Sequence, residues 1–102
     1  VHVYAAGSTD NAVAAFTRNP SNGKLTHIQV LRDGVNGVDG LMRASSVSIS
    51  PDGASVYATG PNDNAIAVFS RDEVTGLLTF VEVVRDGVNG VDGLAGVRSS
   101  IV

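Results

Sequence analysis

Short stretches of alternating small polar and branched apolar residues run along this chain, each closed by a cluster of Gly, Pro, Asn or Asp. Ser46-Val47-Ser48-Ile49-Ser50 has the period of two of a strand with one covered face. Ser50-Pro51-Asp52-Gly53 follows, with proline presetting φ and glycine accepting the positive φ that closes a hairpin. Ser55-Val56-Tyr57-Ala58-Thr59 predicts the next strand, and Gly60 to Asn64 the next turn. Ala65-Ile66-Ala67-Val68-Phe69 is apolar at every position, so the strand it predicts needs cover on both faces. After a turn from Arg71 to Gly76, a fourth strand is predicted from Leu78 to Val84, with Glu82 among apolar neighbours. A long glycine-rich loop comes next, and Arg98 to Val102 opens another first strand. A helical period appears nowhere.

The pattern occurs twice. Val3-Tyr4-Ala5-Ala6-Gly7 returns as Val56-Tyr57-Ala58-Thr59-Gly60, and Asp10-Asn11-Ala12 as Asp63-Asn64-Ala65, both at an offset of 53 residues. The loop RDGVNGVDGL from Arg32 to Leu41 returns unchanged as Arg85 to Leu94. A period of this length marks stacked units, none of which buries its apolar face alone. Four short strands per period, linked by turns and covered on both faces, describe a β-propeller blade. A β-sandwich or small barrel is the alternative, but neither has a use for one connection repeated residue for residue. The expected fold is therefore all-β, a β-propeller with two four-stranded antiparallel blades per chain. The two repeats run over 3–55 and 56–102 in permuted order, with the complete blade at about 46–84.

SPDG followed by VYATG, then DNAIAVFSRD, then TGLLTFVEVV, resembles the repeat of the YVTN and lactonase-type β-propellers over nearly the whole chain. The resemblance implies several blades, and a family that holds both hydrolases of sugar lactones and surface or periplasmic proteins. The matching motifs mark turns and strand cores, not an activity.

Composition narrows the function classes. Apolar residues make up 43% of the 102 residues, as in a globular chain. There is no cysteine, so neither a disulfide nor a thiolate metal site is available. The net charge is −3, and Lys24 is the only lysine among spread arginines. That distribution leaves no basic stripe for nucleic acid and no polybasic membrane patch. The expectation is a soluble chain without a signal or transmembrane segment, its compartment undefined. The opening Val1-His2-Val3 reads as the middle of a strand, as in a mature, excised or engineered piece.

The repeated loops are the best candidate site. Asp33, Asn36 and Asp39, and their twins Asp86, Asn89 and Asp92, recur at every third residue between glycines. Such oxygens suit a hard cation such as Ca2+. Turn formation accounts for the same residues without an ion, with Val35, Val38 and Leu41 pinning the loop to the blade. His2 and His27 correspond to Ser55 and Phe80, which excludes a histidine shared by both repeats; His27 reads as a substitution for a strand aromatic. Tyr4, Tyr57, Phe16, Phe69 and Phe80 read as core or blade-interface residues. Arg32 and Arg85 read as partners in structural ion pairs or carbonyl contacts. The motifs G-x-S-x-G, H-E-x-x-H and the P-loop are all missing. No catalytic residue and no cofactor are assigned.

Near-identical repeats create equivalent weak sites and not one asymmetric active site. The reading is thus a non-catalytic scaffold or multivalent binding module; the alternative is a lactonase-type hydrolase or a fragment of one. Two blades cannot close a ring. Three or four chains are expected to associate into a closed homo-oligomer, completing the ring, with Ser99 to Val102 pairing with the strand at Val3 to Ala6.

Overall fold

A computed structural model describes residues 1–91 together with Gly93 and Leu94. It contains seven strands: β1 (His2–Gly7), β2 (Ala12–Arg18), β3 (Leu25–Arg32), β4 (Ser46–Ile49), β5 (Ser55–Gly60), β6 (Ala65–Arg71) and β7 (Leu78–Arg85). They form a three-stranded sheet in the order β1-β2-β3 and a four-stranded sheet in the order β4-β5-β6-β7. Every neighbouring pair is antiparallel. No helix long and apolar enough to cross a membrane occurs among the described residues. The strand expected at Arg98 to Val102, and its pairing with Val3 to Ala6, lie outside those residues.

Register repeats as faithfully as sequence. Tyr4 lies opposite Ala15, and Tyr57 opposite Val68. A bulge falls between Ala15 and Phe16 in one sheet and between Val68 and Phe69 in the other. The bulge re-aims the aromatic so that it meets the strand beyond it. Phe69 stands edge-on to Phe80 at 5.7 Å between ring centroids, and Phe16 edge-on to His27 at 5.4 Å. His27 thus fills the place of a strand aromatic.

The two sheets share one core. Val13 and Leu31 of the first sheet pack with Val56, Ala58, Ala67, Phe69 and Leu78 of the second. Fully burying a side chain the size of Val, Leu or Phe stabilises by roughly 1.5–3 kcal/mol. Val38, Leu41 and Ala44 of the connecting loop close one end of this core. Among the described residues Thr59 is the buried polar one, and its hydroxyl lies 3.1 Å from that of Ser46 and 3.3 Å from that of Ser45. β6, apolar at every position from Ala65 to Phe69, buries Ala65, Ala67 and Phe69 on one face while Ile66 and Val68 on the other are only half-buried. The first sheet covers one face of β6, and nothing described covers the other.

The loop between the sheets passes over the second sheet at very short range. A Cβ on Gly60 would overlap the carbonyl oxygen of Gly40 and lie 3.1 Å from that of Met42. Its repeat counterpart Gly7 has nothing closer than 3.8 Å. Gly60→Ala should therefore destabilise the fold by about 2 kcal/mol or more, because backbone has to move. Gly7→Ala should change stability by well under half of that; urea unfolding midpoints of the two variants check the contrast.

Candidate functional site

Over its described residues the ten-residue loop makes the same internal contacts both times it occurs, which points to its own residues as their cause. The Gly34 amide donates to the Val38 carbonyl, as the Gly87 amide does to that of Val91, at 2.8 and 2.7 Å. Asp33 accepts from the Leu41 amide at 3.1 Å, and Asp86 from the Leu94 amide at 2.9 Å. Asn36 and Asn89 sit at φ of 53° and 54°, the left-handed region that Asn tolerates better than other non-glycine residues. Val38 and Leu41 are buried and hold the loop down. Val35 does not share that role. It is 49% exposed, and Val88 is 46% exposed, because both occupy the outer corner of consecutive turns.

Two carboxylates of the first loop and one from the second sheet's turn converge where the loop crosses that sheet. Single carboxylate oxygens of Asp33, Asp39 and Asp63 lie within 4.8 Å of one another. Arg85 stands among them, 2.5 Å from Asp39 and 3.8 Å from Asp63. Asp63 also accepts from the Met42 amide at 3.2 Å, and Asp39 from the Gly40 amide at 2.8 Å. Asn11 extends the clasp by accepting from the Arg43 amide at 2.8 Å. The Arg85 hydrogen bond holds the Asp39 carboxyl below its usual range, and Asp39 in turn raises Arg85. A carboxylate held ionised this way is a poor general base at neutral pH.

Of the six loop residues read as candidate ligands, the structure brings together Asp33 and Asp39. Asp86 belongs to the second loop and is not part of that carboxylate group, Asn36 and Asn89 occupy left-handed turn positions, and Asp92 lies outside the described residues. Asp63 and Arg85 are the members that the loop spacing did not reveal. The signal for Asp63 was the recurrence of Asp-Asn at 10–11 and 63–64. Arg85 occupies the centre, where it supplies the positive charge the carboxylates need.

A second polar group ties the sheets at the opposite end. The Tyr4 hydroxyl donates to the Gly76 carbonyl at 2.7 Å and accepts from Arg71 Nε at 2.9 Å. Arg71 also donates to the Gly53 carbonyl at 2.9 Å and lies 2.7 Å from His2 Nδ1. Burial, and then the Arg71 cation, hold the His2 pKa below its usual value. Between these ends, Gln29 bridges to β7 with both its amide atoms, donating to the Leu78 carbonyl at 3.0 Å and accepting from the Leu78 amide at 2.8 Å.

Antiparallel sheets of this size, stacked face to face and joined by a loop that crosses the second sheet, are the architecture of a β-propeller. Residues 1–89 match the family described as lactonase, 7-bladed beta-propeller, and the chain belongs to that family. It is 30% identical over 83 residues to the 6-phosphogluconolactonase of Bacillus subtilis (strain 168), which covers 81% of this chain and 24% of that protein. The solved periplasmic gluconolactonase of Pseudomonas aeruginosa matches with a TM-score of 0.71 and 26% identity, over 82% of this chain and 23% of that one. A putative 6-phosphogluconolactonase from Bacteroides fragilis matches with a TM-score of 0.71 and 29% identity, over 86% of this chain and 24% of that one. The chain spans about a quarter of the length of these relatives.

Two measurements test the two polar groups. Arg85→Leu should cost about 1 kcal/mol, the upper range for an exposed pair, since it strips the cation from three carboxylates. Asp39→Asn should cost less in that background than in the parent, and a double-mutant cycle in urea reads the coupling. For His2 the sign follows from its lowered pKa. Below the ordinary histidine range the unfolded chain takes up a proton that the folded chain resists, so stability falls as pH drops through that range. Above that range His2 contributes no slope. Unfolding curves from pH 8 to pH 5 should show this loss, and His2→Ser should remove its part of it.

Proposed function

We propose that this chain supplies two neighbouring blades of a lactonase-type propeller that hydrolyses a sugar lactone of the gluconolactone kind, and that its own role there is scaffolding. The observation that carries the reading is the family match over residues 1–89, supported by the 30% identity to a 6-phosphogluconolactonase. Opening a lactone needs a base to activate water and donors to hold the charge that develops on the carbonyl oxygen. The carboxylates gathered at Asp33, Asp39 and Asp63 are committed instead to Arg85 and to backbone amides. The described residues therefore fit a frame that positions catalytic groups carried by other blades. The loops 32–41 and 85–94 serve as inter-blade clasps in this frame, with turn formation and charge pairing as the work of their aspartates.

Acid release from 6-phosphogluconolactone and from gluconolactone, followed in a pH-stat, tests both halves of the proposal. The 102-residue chain alone should not raise the rate above spontaneous hydrolysis. Exchanged for the matching segment of the Bacillus subtilis enzyme, it should yield a hydrolytic chimaera. Turnover by the chain alone would refute the scaffolding role, and a folded but inert chimaera would refute the lactonase role.

A further inference from the structure

Repetition supplies two copies of each interface residue, and the structure buries one of each pair. On the first sheet Val13 and Leu31 are buried against the second; their counterparts Ile66 and Val84 are half-buried on the far side of the second sheet. On the second sheet Leu78 is 4% exposed, while its counterpart Leu25 on the far side of the first sheet is 50% exposed. The two open faces are thus the two halves of the one closed interface, each present a second time.

The polar contacts repeat as well. The closed interface uses Tyr4 and Gln29 from one side and Arg71, Gly76 and Leu78 from the other. On the open faces the corresponding residues are Tyr57 and Glu82, and Arg18, Gly23 and Leu25. The receiving half is preformed. The Gly23 amide donates to the Asn19 carbonyl at 2.8 Å and the Asn19 amide to the Lys24 carbonyl at 2.9 Å, as the Gly76 amide donates to the Asp72 carbonyl at 2.8 Å and the Asp72 amide to the Leu77 carbonyl at 3.0 Å. Gly23 has φ of 74° and Gly76 of 79°. The charges are complementary too: Glu82 stands where Gln29 stands in the closed interface, and Arg18 where Arg71 stands.

We infer that the open face of the second sheet docks onto the open face of the first sheet in a second copy of this chain, in the register of the intramolecular interface. Tyr57 then reaches the Gly23 carbonyl and Arg18, and Glu82 accepts from the Leu25 amide. The contact is heterologous, so it propagates head to tail until a ring closes. Two blades per copy give six blades from three copies or eight from four. This association concerns the 102-residue chain itself and stands apart from the lactonase reading.

Sedimentation velocity across the micromolar range tests it. The parent chain should associate. Leu25→Asp spoils one face and Ile66→Asp the other, and each change should weaken self-association at least about tenfold by burying an unpaired charge. Each variant keeps one good face, so an equal mixture should form a dimer and nothing larger, which also shows that both variants fold. Glu82→Gln recreates the two-pronged contact that Gln29 makes with Leu78 and should tighten association roughly threefold to tenfold. A folded parent that stays monomeric would overturn the inference. So would association indifferent to both aspartate variants, a mixture that forms no dimer, or a Glu82→Gln chain no tighter than the parent.

Discussion

A β-sheet that is apolar on both faces cannot be satisfied by one neighbour, and the rest of this structure follows from that constraint. β6 illustrates it: Ala67 and Phe69 are buried by the first sheet, while Ile66 and Val68 remain partly open. Burial of the shared core, from Val13 and Leu31 to Phe69 and Leu78, is the main favourable term. It also fixes the angle and register at which the sheets meet, because the polar ties form only at one placement. Gln29 needs both the amide and the carbonyl of Leu78, and Tyr4 needs the carbonyl of Gly76. These bonds are worth little individually, but a slip would leave each group unpaired.

The connecting loop solves a related problem. It has to cross from the outer strand of one sheet to the inner strand of the next without leaving its amides unpaired. Asp33, Asp63 and Asn11 accept from the Leu41, Met42 and Arg43 amides in turn. Glycine at 60 lets the backbones approach more closely than any side chain would allow. The price of the crossing is a concentration of carboxylates, and Arg85 offsets it. The same carboxylates take part in packing one blade on another.

This division of labour suits a lactonase-family propeller. A blade whose turns and strand cores recur suits the proposed role of holding a ring together. The engagement of Asp33, Asp39 and Asp63 with Arg85 and with backbone amides fits that proposal. Membership in the family is carried by strand cores and turns that span residues 1–89, and those are the parts a frame requires.

Most of the fold was legible in the chain itself. Alternation and turn residues placed the strands β4 to β7 within a residue or two, since period-two patterning and positive-φ turn residues are local requirements. The internal hydrogen bonds shared by the described residues of both copies of RDGVNGVDGL follow from that exact repetition. The placement of His27 as a stand-in for an aromatic was likewise readable from its repeat partner. Other features were not. Identical loop residues acquire different surroundings, because among the described residues the first loop lies against a second sheet and the second loop does not. Asp39 finds Arg85, 46 positions away in sequence, and Tyr4 finds Arg71, through the stacking of the sheets. Local sequence thus determined the strands, the turns and the shape of each repeat. Which of two equivalent residues is buried, charged-paired or left open was decided only when one blade packed on the other, because burial and Coulomb contact depend on neighbours in space that no local pattern names.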